Sequence, residues 1–163
     1  MILVGGFGTR LRPLTLSVPK QMLPMGSVTM LQRVVEHLGG LGVEEVVLSL
    51  GYQPEVFLRE FPDGEIAGVP VRYAVEPEPL DTGGAIAFAA REAGIDDTFL
   101  ALNGDVLTDL DVGELWRFHQ KAGGAATIAL TKVDDPSRYG VVPLAGDGRV
   151  EAFIEKPEPG TAP

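Results

Sequence analysis

An apolar run followed at once by a glycine-rich loop opens this chain, and it constrains the fold more than any other feature. Residues 2–4 predict a short first strand, and three glycines fall within residues 5–8 that follow it. Glycines let backbone N–H groups approach an oxyanion closely and adopt positive φ at little steric cost. Arg10, Arg12 and Lys20 come soon after. These cations supply more positive charge than one phosphate needs, so the loop suits a triphosphate.

The loop matches neither of two common phosphate-binding motifs. A Walker A loop needs Gly-x-x-x-x-Gly-Lys-Ser/Thr, which the loop does not contain. A dinucleotide fingerprint, Gly-x-Gly-x-x-Gly, begins at Gly6, but Leu11 stands where the third glycine belongs. Glycine spacing alone therefore leaves an alternative open, a tight turn with surface arginines.

Composition narrows the classes of partner. The formal net charge is -10, which argues against non-specific nucleic-acid binding, yet three of the 13 cations lie within residues 10–20. The chain has no cysteine, which excludes a disulfide framework and a thiolate metal site. No apolar run approaches the roughly 20 residues of a membrane span, and residues 1–4 have no basic n-region, so no secretory signal is expected. We therefore expect a cytoplasmic location, with neither a nucleic acid nor a membrane as partner.

Strand and helix patterns alternate along the chain. Helices are predicted at residues 30–38, 54–61, 84–93 and 111–121, with Asp111 as N-cap, and strands at 2–4, 45–50, 71–75, 98–102, 126–132, 140–143 and 150–154. Strands separated by helices of about ten residues imply right-handed crossovers and a mostly parallel sheet. Ligands of such sheets bind at the carboxyl ends of strands, where residues 5–12 and 103–106 are expected.

Five motifs, taken in order, resemble the signatures of the sugar-1-phosphate nucleotidyltransferases, most of all the mannose-1-phosphate guanylyltransferases. They are residues 5–15 with 19–24, then 80–85, 103–106, 139–142 and 153–157. The resemblance implies an α/β fold, a Rossmann-like three-layer αβα arrangement with a mostly parallel mixed sheet, truncated at its C-terminal end. It also implies that residues 1–163 are the N-terminal portion of one catalytic domain, without the rest of that domain or any β-helix domain.

The reaction implied by the resemblance is nucleotidyl transfer. A nucleoside triphosphate, expected to be GTP, reacts with a sugar 1-phosphate, expected to be mannose 1-phosphate, and gives GDP-mannose and pyrophosphate. Thymidylyl- and uridylyltransferases for glucose 1-phosphate share most of these motifs and stay open as alternatives. A non-catalytic, nucleotide-sugar-binding regulatory paralogue is a further alternative. The expected partners are the small-molecule substrates, with a homo-oligomer as a further possibility.

The resemblance also assigns roles to residues. The catalytic set is Arg10, Lys20, Asp105 and Lys156, with Asp105 as the ligand of a Mg²⁺ cofactor. The nucleotide-binding set is Val4, Gly5, Gly6, Gly8, Thr9, Leu80, Thr82, Gly83 and Gly84. The sugar-phosphate-binding set is Tyr139, Gly140, Glu155 and Lys156.

Each assignment competes with a purely structural one. Asp105 could cap a turn, and Lys156 could make an exposed salt bridge at a strand end, which contributes little. Asp81 or Thr82 could cap the helix that follows, and Asp81 departs from the glycine that relatives commonly have there. Tyr139 could pack on the core at the start of a strand.

Overall fold

The computed structural model describes residues 1–135 and 139–157. The chain divides into two units, Met1–Val112 and Gly113–Pro163, here called the N-terminal and C-terminal units. The described helices are α1 (Met30–Gly40), α2 (Pro54–Glu60), α3 (Asp81–Glu92) and α4 (Val112–Ala122). Within the described ranges, no helix is long and apolar enough to cross a membrane.

A five-stranded sheet organises the N-terminal unit. Its strands are β1 (Ile2–Leu3), β4 (Val46–Leu50), β5 (Glu65–Ile66), β6 (Val69–Val75) and β7 (Leu102–Asn103), and a separate hairpin joins β2 (Pro24–Met25) to β3 (Val28–Thr29). The order across the sheet is β5-β6-β4-β1-β7. The β6–β4, β4–β1 and β1–β7 pairs are parallel, whereas β5 runs antiparallel to β6. The predicted mixed, mostly parallel sheet is confirmed.

Helices cover both faces of this sheet. Side chains alternate between the faces along β4, as the pleat requires. Val46, Leu48 and Leu50 lie in one core cluster, together with buried side chains of α1 and α2. Val47 lies in a second cluster, which includes a buried alanine of α3. Because β4 is buried at all five positions, its sequence is an apolar run that only Ser49 interrupts. The N-terminal unit is therefore a three-layer αβα arrangement.

A capping box starts α1 where the sequence predicts. The Thr29 side chain accepts a hydrogen bond from the Gln32 backbone N–H at 3.2 Å. The Gln32 side chain in turn accepts one from the Thr29 N–H at 2.7 Å. Two N–H groups that have no partner within the helix are thereby satisfied.

By contrast, α3 starts earlier than predicted and without a side-chain cap. It begins at Asp81 rather than at residue 84, and Leu80 occupies the N-cap position. Neither Asp81 nor Thr82 acts as the cap, because the position falls on a residue whose side chain has no acceptor. Asp81 has φ of 55°, a left-handed conformation that glycine adopts most easily.

The C-terminal unit contains fewer strands than predicted. A hairpin pairs β8 (Gly140–Val141) with β9 (Ile154–Glu155), and an isolated bridge joins Leu144 to Val150. Among the described residues, 126–132 form no strand. Alternating apolar residues make a strand only where a neighbouring strand supplies hydrogen bonds, and no described segment pairs with these. In the N-terminal unit, the strand predicted at 98–102 is reduced to β7 at the sheet edge.

Candidate functional site

The carboxyl ends of four parallel strands lie along one edge of the sheet in the N-terminal unit. Gly5 follows β1 closely, Gly51 follows β4, Glu76 follows β6, and Gly104-Asp105 follows β7. Residues 5–12 and 103–106 therefore lie on adjacent strand ends, as the sequence predicts for a ligand site.

A buried threonine packs against the glycine-rich loop and is hydrogen-bonded to it. Gly8 has φ of 60°, and a Cβ placed on it would lie 3.0 Å from the Thr15 side chain. The Thr15 hydroxyl donates to the Gly8 carbonyl at 2.7 Å, and Thr15 is buried. In the described part of the chain, the backbone N–H groups of residues 5–8 make no hydrogen bond. Consecutive N–H groups without partners form a concavity that suits an anion.

Lys20 and Asp105 form an ion pair beside this loop. Lys20 Nζ contacts Asp105 Oδ2, and the two side chains are 22% and 34% exposed. Lys20 Nζ also lies 3.4 Å from where a Cβ on Gly6 would stand. Both residues line a cleft of about 370 Å³ with Leu11 and Met25. Two side chains predicted to be catalytic are thus brought together across 85 positions of sequence.

Close backbone contact places Asp105 at this edge. A Cβ on Gly104 would lie 2.6 Å from Val4 Cγ1, so no other residue fits without a shift. The Gly104 N–H donates to the Leu3 carbonyl at 2.9 Å, which extends the pairing of β7 with β1. Glycine at 104 therefore lets Asp105 follow directly beside the start of the loop.

The remaining predicted nucleotide-binding residues differ in how much of each is exposed to a ligand. Val4 is fully buried, so its backbone alone can face a ligand. Thr9 and Arg10 are exposed in a 3-10 turn that follows Gly8. Thr82, Gly83 and Gly84 are exposed in the first turn of α3, next to the half-buried Leu80.

The donor set suits a cation only when a ligand supplies further oxygens. Among the described residues, no group of three or more His, Cys, Asp or Glu side chains could hold a metal ion. Asp105 is thus a single carboxylate with Lys20 as its partner. Mg²⁺ is commonly bound by one or two carboxylates, waters and substrate phosphates. Asp105 fits a metal of that kind.

Sequence reasoning missed a carboxylate at the same edge. Glu76 Oε1 accepts a hydrogen bond from the Ser49 hydroxyl at 3.0 Å, and Glu76 Oε2 accepts one from the Leu80 N–H at 3.3 Å. The signal available in the sequence was a lone serine in an apolar strand. An aromatic contact joins the glycine-rich loop to the residue after Gly51, with the Phe7 and Tyr52 ring centroids 4.9 Å apart.

The predicted sugar-phosphate-binding residues lie together in the C-terminal unit. Gly140 pairs with Glu155 in the hairpin, and the Lys156 N–H donates to the Tyr139 carbonyl at 3.1 Å. Lys156 Nζ lies 3.3 Å from Glu155 Oε1, and both side chains are exposed. Tyr139 is 57% exposed, so the alternative that it packs on a core is wrong.

Comparison with known proteins identifies the family. The family model described as nucleotidyl transferase matches residues 1–163. The chain belongs to the nucleotidyl transferase family. It is 46% identical over 162 residues to "Mannose-1-phosphate guanylyltransferase 1" of Arabidopsis thaliana, covering 97% of this chain and 45% of that protein. It is 44% identical over 158 residues to "Mannose-1-phosphate guanylyltransferase" of Mycobacterium tuberculosis, covering 97% and 44%. The chain thus spans less than half the length of these relatives.

Solved structures share the fold of this chain. HddC from Yersinia pseudotuberculosis is 30% identical, with a TM-score of 0.76 over 99% of this chain and 70% of that chain. The same protein complexed with GMP-PN matches with a TM-score of 0.74 and 30% identity, over 97% and 69%.

Proposed function

We propose that this chain provides the nucleotide-binding part of an enzyme that makes GDP-mannose and pyrophosphate from GTP and mannose 1-phosphate. One observation carries the proposal: the N–H groups of residues 5–8, which have no partner within the described part of the chain, lie beside the Lys20–Asp105 ion pair at the carboxyl edge of a mostly parallel sheet. The names of the relatives at 44–46% identity support the base and the sugar.

The proposed reaction is an in-line displacement at phosphorus. An oxygen of the sugar phosphate forms a bond to the α-phosphorus of the triphosphate. The bond from that phosphorus to the oxygen bridging the β-phosphate breaks, and its electron pair leaves on pyrophosphate. The attacking oxygen is already anionic, so the step needs no general base. Catalysis then consists of positioning and neutralising charge.

We assign the side chains to this step by their place at the two predicted sites. The N–H groups of residues 5–8 bind phosphate oxygens, and Arg10 with Lys20 neutralises the departing pyrophosphate. Residues 80–84 border the base. In the C-terminal unit, Lys156 binds the sugar phosphate and Glu155 the sugar hydroxyls, at the turn formed by Tyr139 and Gly140.

We propose Mg²⁺ as the cofactor, with Asp105 as its protein ligand. A bound ion at this carboxylate would supply positive charge that offsets the charge of the phosphates. Lys20 pairs with Asp105, so we expect a bound triphosphate to compete with Asp105 for the Lys20 ammonium. The cytoplasmic location and the homo-oligomer stay predictions from sequence.

Binding and turnover together test the proposal. Calorimetry of this chain with GTP, UTP, dTTP and ATP, with and without Mg²⁺, is expected to show the tightest binding for Mg²⁺ with GTP. Pyrophosphate release should be measured in this chain and in any longer protein that carries it, with mannose 1-phosphate against glucose 1-phosphate. Preference for dTTP or UTP with glucose 1-phosphate would overturn the specificity. Tight binding of GDP-mannose without turnover in the longer protein would favour a regulatory paralogue.

A further inference from the structure

We propose that Ser49 is a positioning residue for the nucleotide, acting through the carboxylate of Glu76. This inference rests on the proposed function, because it assumes that residues 5–8 and 80–84 bind the nucleotide. Neither Ser49 nor Glu76 belongs to the motifs that define the candidate site. The structure connects both to those motifs by hydrogen bonds and close contact.

Ser49 is a polar residue at a position where packing favours an apolar one. It is fully buried in β4, whose other residues are valine and leucine. On the sheet face that Ser49 shares with Val47, the core cluster is otherwise apolar. A buried hydroxyl destabilises a fold unless it is hydrogen-bonded. The Ser49 hydroxyl finds its partner in Glu76 Oε1, at 3.0 Å.

Hydrogen bonds of Glu76 connect β4 to the segment that begins α3. Its backbone N–H donates to the Leu50 carbonyl at 2.9 Å, which extends the β4–β6 pairing by one residue. Its second carboxylate oxygen accepts from the Leu80 N–H at 3.3 Å. Since the Leu80 side chain cannot itself cap α3, Glu76 supplies the acceptor and negative charge that a helix start favours.

The same carboxylate lies against the glycine-rich loop. A Cβ on Gly51 would stand 3.4 Å from both carboxylate oxygens of Glu76 and 3.3 Å from the Gly5 Cα. A Cβ on Gly5 would stand 3.7 Å from Glu76 Oε1. One carboxylate therefore sets the spacing of both proposed nucleotide-binding segments, and Ser49 fixes the rotamer of that carboxylate.

The test compares Ser49→Ala with Ser27→Ala, which removes a hydroxyl from an exposed position. Loss of a hydrogen bond to a charged group is expected to raise the GTP dissociation constant about tenfold in Ser49→Ala. Ser27→Ala should not change it. Hydrogen exchange at the Leu80 N–H should be faster in Ser49→Ala without nucleotide. Ser49→Thr, which keeps the hydroxyl, should restore slow exchange.

A double-mutant cycle tests whether Ser49 acts through Glu76. Glu76→Gln should also weaken GTP binding, and adding Ser49→Ala to it should cause little further loss. If the losses of GTP affinity in the two single variants multiply in the double variant, Ser49 does not act through Glu76 and the inference is overturned. A lower melting temperature in Ser49→Ala, with GTP affinity within about twofold of wild type, would show a structural role only. A wild-type chain that binds no nucleoside triphosphate would overturn the proposed function, whereas equal binding by wild type and Ser49→Ala would overturn this inference alone.

Discussion

Two helices of equal length, α1 in the N-terminal unit and α4 at the start of the C-terminal unit, differ sharply in burial. Each has 11 residues and an apolar stripe at helical spacing. In α1 the stripe is buried, and its members are Leu31, Val34, Val35 and Leu38. In α4 no residue is buried, and Trp116 is 42% exposed.

The difference extends to the whole of the two units. Among the described residues, the buried aliphatic, aromatic and methionine side chains all lie between Met1 and Ala89. The C-terminal unit leaves large apolar side chains exposed, with Phe153 at 71%. An apolar stripe thus predicts that a helix forms, but burial requires a second layer that receives the stripe. The five-stranded sheet provides that layer for α1.

The largest expected effect concerns the two lysines assigned to the reaction, one in each unit. Lys20→Ala in the N-terminal unit should lower turnover about 10²–10³-fold, because a preorganised donor toward the leaving group is lost. Lys156 is exposed and pairs locally with Glu155, so Lys156→Ala should act chiefly by raising the KM for sugar phosphate. Steady-state pyrophosphate release measures both, and the exposed Lys132→Ala is the control. Wild-type turnover in Lys20→Ala would contradict the assignment.

A matched pair of Leu→Ala substitutions, one in each helix, tests the difference in burial between α1 and α4. Leu31→Ala should lower the free energy of unfolding by about 3 kcal/mol, since Leu31 is fully buried. Leu115→Ala makes the same chemical change in α4, where the side chain is half-buried, and should cost less than about 1 kcal/mol. Circular dichroism in urea measures both variants. Equal losses would mean that α4 is buried in solution.

The sequence predicted those parts of the molecule whose structure depends on the spacing of apolar residues and glycines along a short segment. The stripe of α1, the glycine-rich loop and the strand ends carrying Gly5 and Asp105 all follow from spacing along the chain. The strand predicted at 126–132 was wrong because a strand also needs a partner that local spacing does not reveal. The roles of Lys20 and Asp105 stay predictions, although the structure brings the two side chains together.

The Ser49–Glu76 hydrogen bond could not be predicted in the same way. The two residues lie 27 positions apart, and their contact depends on the parallel register that pairs Ser49 with Ala74. A shift of one residue in that register would place the Ser49 and Glu76 side chains on opposite faces of the sheet, where they could not form this hydrogen bond. The lone polar residue in β4 marks a position to examine, but only the sheet identifies its partner.

A smaller effect is expected from the buried amino group of Met1, in the unit that has a core. Burial lowers the pKa of this amine from 8.0 to about 6, and the amine donates to the Leu100 carbonyl at 2.7 Å. The unfolded chain then binds more protons between these values. Stability from this group is fully present above pH 8 and is lost as pH falls through about 6, by on the order of 2 kcal/mol.

Chemical denaturation of the 163-residue chain from pH 5 to pH 9 measures this dependence. Acetylation of Met1 removes the titrating group, so the slope with pH that belongs to it should disappear in the acetylated chain. The comparison uses slopes rather than absolute stabilities, because the acetyl group also changes packing. Identical slopes in both chains would show that the amine is solvated.

The smallest effect is expected in the C-terminal unit, at the turn that carries Asp147. The Asp147 carboxylate accepts hydrogen bonds from the Arg149 backbone N–H at 3.1 Å and from Arg149 Nε at 2.8 Å. These two bonds lower the pKa of Asp147, the backbone one most. Both side chains are exposed, so Arg149→Ala should leave the unfolding transition unchanged.

Arg149→Ala should still change the pKa of Asp147. Arg149→Ala removes the side-chain bond and keeps the backbone bond, so the pKa of Asp147 should rise only part of the way to its ordinary value. Titration of the Asp147 side-chain carboxyl by NMR measures this directly. A normal pKa in the wild type would mean that the turn does not form. A lowered pKa with no change in unfolding would show that the C-terminal unit keeps local hydrogen bonds where it buries no core, whereas α1 combines a capping box with a buried stripe.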